Sequence, residues 1–143
     1  MVSLGQRSLG QEASARRTFF EAGMKRIADH ERGLLHMMLE GVNGRPGMRH
    51  IKGVKVDMDG RDLYTRDLIL GVEFENIDCI RAVEEYEKRG VITFERSACS
   101  MYSKRMVEAF HSKGMIRLSP LHVNTPDDID RFLDVTQEIA ALY

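Results

Sequence analysis

Apolar residues in the first part of the chain recur at helical intervals. Phe20, Met24, Ile27, Leu34, Leu35, Met38 and Leu39 fall on one side of a helical repeat, and Phe19 widens that side near its start. The spacing predicts a long amphipathic helix from about Glu12 to Gly41 with one wet face. Gly23 and Gly33 interrupt it; each costs such a helix ~1 kcal/mol relative to alanine, which points to close packing at those positions. The run Gly41-Val42-Asn43-Gly44-Arg45-Pro46-Gly47 then ends the helix. Ahead of it, residues 1–11 show no sustained repeat and read as a flexible lead.

Beyond the break, short strand-like and helix-like units alternate. Val54-Lys55-Val56 and Leu68-Ile69-Leu70-Gly71-Val72-Glu73-Phe74 read as strands, the second more buried. Asn76 or Asp78 caps a helix with Ile77, Ile80, Val83 and Tyr86 on one side, stopping at Gly90. Val91-Ile92-Thr93-Phe94 reads as a third strand, Met106, Val107 and Phe110 mark a helix ending at Gly114, and Met115-Ile116-Arg117-Leu118 reads as a fourth strand. Thr125-Pro126-Asp127-Asp128 opens the last helix, with Thr125 as N-cap, Pro126 in the first turn and acids placed to favour the helix dipole. Its buried stripe is Ile129, Phe132, Leu133, Thr136, Ile139 and Ala140. One long helix plus a small sheet covered by helices is an α/β arrangement. It divides the chain into a lead (1–11), a long helix (12–41) and a small α/β domain (42–143).

Length and charge narrow the function classes. The 143 residues suffice for one domain with its own core. With 21 Lys+Arg against 22 Asp+Glu, the net charge of −1 argues against a nucleic-acid binder, which carries a basic excess. No apolar run approaches the ~20 residues needed to cross a bilayer, and the opening MVSLGQRSLGQ lacks the pattern of a signal peptide. Two cysteines make no disulfide framework. A soluble cytoplasmic protein is the expectation.

Most chemistry-bearing residues have ordinary explanations. His30, His36, His50, His111 and His122 show no metal-ligand spacing, and Cys79 and Cys99 form no C-x-x-C, so no metal site is expected. Cys79 sits on a predicted helix as a small core residue. Two stretches differ. In Gly90-Val-Ile-Thr-Phe-Glu-Arg-Ser-Ala-Cys99-Ser-Met-Tyr-Ser a strand runs into a polar, small-residue turn before a helix, a place where ligands often meet side chains or amides. In Arg117-Leu-Ser119-Pro-Leu-His-Val-Asn124-Thr125-Pro-Asp-Asp-Ile-Asp130 a guanidinium lies within a strand that must be largely buried. A buried arginine needs an acidic partner, either an internal Asp or Glu or an incoming carboxylate bound in bidentate fashion.

The pattern R-x-S-x-x-x-x-N-T-x-x-x-I-D, preceded by G-V-I-T-F and a turn bearing Cys99, resembles the C-terminal part of class V aminotransferase-fold enzymes. These depend on pyridoxal 5′-phosphate and include cysteine desulfurases, selenocysteine lyases and isopenicillin-N-epimerase-like proteins. The resemblance runs from about Glu12 to the end. It implies that the long helix links a large and a small domain, that the rest is the small domain with its mostly antiparallel sheet, and that Arg117 binds the substrate α-carboxylate. Desulfurase-type members carry a nucleophilic cysteine in a loop after an R-x-G-H-H-like run. Cys99 falls in that loop as a candidate nucleophile, but the residues before it, Phe94-Glu95-Arg96-Ser97-Ala98, lack the glycine and histidines. Arg96, Ser97, Tyr102 and Ser103 are the candidates for the substrate mouth.

The cofactor's Schiff-base lysine, the acidic partner of its ring nitrogen and its phosphate cradle belong, in such enzymes, to the preceding large domain. None of the six lysines here lies in a matching motif. The resemblance therefore implies an amino-acid substrate and pyridoxal 5′-phosphate in the parent enzyme. It also implies a chain that by itself holds no cofactor, is inactive, and either self-associates or docks to a cofactor-binding large domain. The alternative from a different class is a stand-alone ferredoxin-like module that binds or senses a small ligand.

Overall fold

The computed structural model describes residues 2–9 and 16–143. Helix α1 (Val2–Leu9) occupies the stretch expected to be a flexible lead, and it packs on the start of helix α2 (Arg16–Glu40). A Cβ at Gly5 would fall 1.5 Å from the Phe19 carbonyl oxygen, so only glycine permits that approach. The expected helical residues 12–15 lie outside the described residues. Along α2 the apolar stripe enters the core only over Leu34, Leu35, Met38 and Leu39. Phe20 and Met24, on the same stripe, remain 47% and 43% exposed. Of the two internal glycines, Gly23 is buried, whereas a side chain at Gly33 would meet nothing, so Gly33 marks no close contact.

Gly41 ends α2 because its φ of 116° is open to glycine, and a Cβ there would strike the Arg45 carbonyl oxygen at 2.1 Å. The chain reverses through Asn43 (φ 51°) and Gly44 (φ 79°), an Asn-Gly turn of the kind that closes two-residue hairpins. It joins β1 (Gly41–Val42) to β2 (Arg45–Pro46). A four-stranded sheet follows, built from β3 (Val54–Val56), β4 (Leu70–Phe74), β5 (Phe94–Ser97) and β6 (Gly114–Leu118) in the order β3-β4-β6-β5. Every pairing is antiparallel. Helix α3 (Cys79–Lys88) links β4 to β5, α4 (Lys104–Ala109) links β5 to β6, and α5 (Pro126–Leu142) closes the chain. Between β3 and β4 stands only a short 3₁₀ turn (Leu63–Thr65), so the order is not that of a ferredoxin-like βαββαβ unit.

The third strand starts later than its sequence suggests. Gly90 (φ 75°) ends α3, and the Val91 N–H donates back to the Tyr86 carbonyl at 3.0 Å. Residues 91–93 are thus held at the helix end, and pairing with β6 begins only at Phe94. Asp78, rather than Asn76, caps α3, its Oδ1 accepting from the Ile80 and Arg81 N–H groups.

The core lies on one face of the sheet. Leu70, Val72, Ile116 and Leu118 point into it and meet Tyr86 of α3 and Ile129, Phe132, Leu133 and Ile139 of α5. Tyr86 stacks on Phe132 with ring centres 5.7 Å apart. Thr136 donates its hydroxyl hydrogen to the Phe132 carbonyl at 2.8 Å, which leaves Tyr86 as donor in its own 2.8 Å bond to Thr136. Arg45 ties the β1–β2 hairpin to α5 through Asp130 (3.0 Å) and Asp134 (2.6 Å). No described helix is long and apolar enough to cross a membrane.

At the end of α3, Glu85 is 8% exposed and accepts from Lys88 at 2.7 Å and Arg89 at 2.6 Å. These bonds, Lys88's first, pull its carboxyl down to about 2. An unfolded glutamate titrates near ~4.3, so below that pH the unfolded chain binds the extra proton and stability falls. The contribution of Glu85 is complete above that range and lost as pH drops towards about 2. Thermal melts across this acid range should show a shallower loss of Tm in Glu85→Gln than in the native chain; parallel curves would remove Glu85 from the acid response.

Candidate functional site

A cleft of about 400 Å³ opens where the 91–93 segment, the end of β6 and the start of α5 converge. Arg117 and Thr93 line it, together with Phe94, Asn124, Asp128 and the buried Phe132. Its far wall is built by the Asn-Thr part of the sequence pattern. Asn124 Oδ1 accepts from the Leu121 N–H at 2.8 Å and so closes the turn after β6. Thr125 caps α5 in a reciprocal box, its hydroxyl accepting from the Asp128 N–H at 3.3 Å while Asp128 accepts from the Thr125 N–H at 2.8 Å. His30 of α2 bonds the Asn124 carbonyl at 3.0 Å, fixing the turn to the long helix. Ile129 enters the core, and Asp130 takes the hairpin's Arg45. The motif residues from Asn124 to Asp130 are therefore a strut that holds the cleft in shape.

Arg117 is half-buried, and its Nε is shielded from solvent with no hydrogen-bond partner. Among the described residues no Asp or Glu forms an ion pair with it, so the internal pair that the sequence left open is not what the fold provides. Asp128 lines the same cleft, but its carboxylate is held below the usual range by the Thr125 N–H first and by the Asn124 side chain next. It is committed to the cap. Across the sheet Arg117 is paired with Gly71 of β4 and Phe94 of β5. A Cβ at Gly71 would stand 2.8 Å from Met115 Sδ and 3.3 Å from Asp57 Oδ2, so a larger residue beside Arg117 would collide. Burial pushes the Asp57 carboxyl up, which disfavours its charged form as a counter-ion.

Thr93 is the residue that sequence reasoning passed over. It is 7% exposed and its Oγ1, like Arg117 Nε, has no hydrogen-bond partner among the described residues. Its signal was a lone hydroxyl in the apolar run Val91-Ile92-Thr93-Phe94.

The other sequence candidates cluster elsewhere. Arg96 pairs with Met115 two positions along from the Arg117–Phe94 pair, which puts it on the Arg117 face of the sheet but outside the cleft. Ser97 is the last residue of β5, at the opposite end from the Phe94–Arg117 pair, and Cys99, Tyr102 and Ser103 follow it. Ser97 and Ser103 are buried with their hydroxyls engaged: Ser103 Oγ donates to the Ser97 carbonyl at 2.9 Å, and Ser97 Oγ accepts from the Cys99 N–H at 3.1 Å. Cys99 is exposed and Tyr102 is 95% exposed. Cys79 is half-buried and burial pushes its thiol up, the direction of an inert core cysteine. No three His, Cys, Asp or Glu among the described residues are placed to share a metal ion.

No protein-family model matches the sequence, and no curated protein matches it. Solved structures do. A cysteine desulfurase from Thermococcus onnurineus superposes with a TM-score of 0.72 at 16% identity, over 90% of this chain and 29% of that one. A NifS-like protein gives 0.62 at 21% identity, over 90% and 32%. The cysteine desulfurase CsdA of Escherichia coli, in an S-sulfonic acid form, gives 0.61 at 14% identity, over 94% and 33%. The chain has the fold of a small domain in class V aminotransferase-fold proteins, and it spans about a third of the length of the structures it matches.

The strut sets a measurable expectation. Thr125→Ala removes the cap of α5 and should cost about 1 kcal/mol in urea unfolding, while Thr125→Ser retains most of it. Equal stability of Thr125→Ala and the native chain would show that the turn is held by Asn124 and His30 alone.

Proposed function

We propose that this chain is the small domain of a pyridoxal 5′-phosphate-dependent enzyme acting on an amino acid, and that Arg117 binds the substrate α-carboxylate. The observation that carries the reading is the unpaired, solvent-shielded Nε of Arg117, a residue bordering a cleft whose acid, Asp128, is already committed. A guanidinium offers two parallel donors to a carboxylate, a geometry that orients as well as binds. Held in this way, a substrate presents its Cα bonds at a defined angle to whatever group reacts with them, and orientation lowers the barrier. Thr93 Oγ1, unpartnered at the same cleft, is a second group available to a polar ligand.

The Arg117 cleft offers the cofactor no lysine. When bound in such enzymes it withdraws electrons from the substrate's Cα, and that requires a lysine and an anion cradle around it. No lysine lines the Arg117 cleft, and Lys25, Lys55, Lys88 and Lys104 each face a carboxylate elsewhere. The cofactor would then be held by a partner large domain. Phe20 and Met24 on α2 leave apolar surface for such a domain or for a second copy of the chain. Cys99, exposed and distant from the Arg117 cleft along β5, is retained as a candidate nucleophile only in an assembly that brings a substrate to that end of the sheet. Arg96 and Tyr102 would flank the same approach.

Two measurements test the reading. In nitrogen-15 spectra of the chain, the Arg117 Nε–H resonance should move saturably as L-alanine is added. Charge-assisted hydrogen bonds contribute ~1.5–3 kcal/mol, so Arg117→Gln should weaken that binding about tenfold to a hundredfold. An unmoved Arg117 resonance would take it out of the site. Mixed with pyridoxal 5′-phosphate, the chain alone should give only the spectrum of the free cofactor; a new stable visible band would overturn the assignment of the cofactor to another domain.

A further inference from the structure

Away from the Arg117 cleft, a hollow of about 170 Å³ lies in the seam between α2 and the segment Leu63–Leu68. Two arginines from these different elements border it, Arg32 and Arg66. Each keeps one buried nitrogen without a hydrogen-bond partner, Arg32 Nε and Arg66 Nη1. The rest of each guanidinium is fixed in place. Arg32 Nη1 donates to Asp29 at 3.0 Å, and its guanidinium carbon lies 4.0 Å from the centre of the Tyr64 ring. Arg66 Nη2 donates to the Asp57 carbonyl at 3.4 Å.

The surrounding acids do not satisfy these donors. Asp59 forms an ion pair with Arg66 Nη1 at 3.5 Å but no hydrogen bond, and Arg49 also donates to both of its oxygens at 2.6 to 3.0 Å. Glu31 also borders the hollow and stands 3.8 Å from His122. Asp67 borders it too and is exposed. Drug-sized ligands need ~300–1,000 Å³, so this hollow suits a group of a few heavy atoms.

We propose that the hollow is a binding site for a small oxyanion, a phosphate or a carboxylate group, which accepts from Arg32 Nε and Arg66 Nη1 together. Arginine is suited to this task because its donors are fixed in a plane and its charge persists at any working pH. Tyr64, 79% exposed and stacked on Arg32, forms the outer wall. Since one donor comes from α2 and the other from the segment before β4, an anion bridging them joins the long helix to the sheet. Binding the folded state alone, it raises Tm with concentration. The site shares no residue with the Arg117 cleft, and the proposal stands independently of the reading given to that cleft.

The test uses the whole chain, titrated with inorganic phosphate and with acetate against chloride at matched ionic strength, and read by backbone amide shifts. Saturable shifts at Arg32 and Leu63–Leu68 are expected, with at least a tenfold weaker response in Arg32→Gln and a partial recovery in Arg32→Lys, which keeps the charge. Saturation by phosphate alone assigns the site to tetrahedral anions, and saturation by both assigns it to small oxyanions generally. No saturable shift with either, a response reproduced by chloride, or a response unchanged in Arg32→Gln would overturn the proposal. Should Arg32→Gln fail to fold, Tyr64→Ala provides the second variant: it removes the exposed outer wall and should also weaken binding, and an unchanged response there would equally overturn the site.

Discussion

The antiparallel register of β4 against β6 governs both the core and the cleft. Leu70 stands opposite Leu118 and Val72 opposite Ile116, and these four fill the face covered by α3 and α5. Because side chains alternate along a strand, the same register sends Gly71 and Arg117, paired with each other, to the opposite face. A one-residue slip of β6 would drive a guanidinium into the apolar core and turn Ile116 and Leu118 out of it. The position of Arg117 is thus enforced by the burial of its neighbours, not by any contact of its own.

A second layer of constraint shapes the cleft that Arg117 borders. The cap at Thr125 and the turn closed by Asn124 fix the start of α5 locally, and the Arg45–Asp130 pair attaches it to the β1–β2 hairpin. His30 adds the long helix through the Asn124 carbonyl. On the other side, Val91 is held to the end of α3, which keeps Thr93 out of the β5–β6 ladder, at the cleft and without a partner. Asn124, Thr125 and Asp128 satisfy one another, while Arg117 Nε, Thr93 Oγ1 and the Asp57 Oδ2 near Gly71 have no hydrogen-bond partner. Leaving buried donors unpaired costs stability, and this cost is the basis of the proposed role of Arg117.

Much of the fold was legible because it rests on local rules. Helical spacing located α2 and α5, the glycine-rich run 41–47 the end of α2, Thr125-Pro126-Asp127-Asp128 the helix start, and apolar runs the strands β4 and β6. The strand expected at 91–94 moved to Phe94–Ser97, since a hydrogen bond to the end of α3 competed with β propensity. The lead at 1–11 contains α1, whose short stretch carries no repeat strong enough to announce a helix, and whose packing depends on Gly5 admitting the Phe19 carbonyl. Gly33 suggested a contact it does not make, because weak helix propensity alone does not say what lies opposite.

Composition, periodicity and turn chemistry determined that this chain builds a long helix and a helix-covered sheet, and they singled out Arg117 as a charge in a buried strand. They could not decide whether that charge was paired, because pairing depends on residues far apart in sequence meeting in space. Only the tertiary structure assigned Asp128 to the cap, Asp130 to Arg45 and Asp59 to Arg49, leaving Arg117 Nε, Arg32 Nε and Arg66 Nη1 without hydrogen-bond partners. It likewise separated Cys99 from the cleft along the length of β5 and turned Ser97 and Ser103 inward. The chain encodes which groups carry charge, but which of them remain free is settled by how the folded elements share their counter-ions.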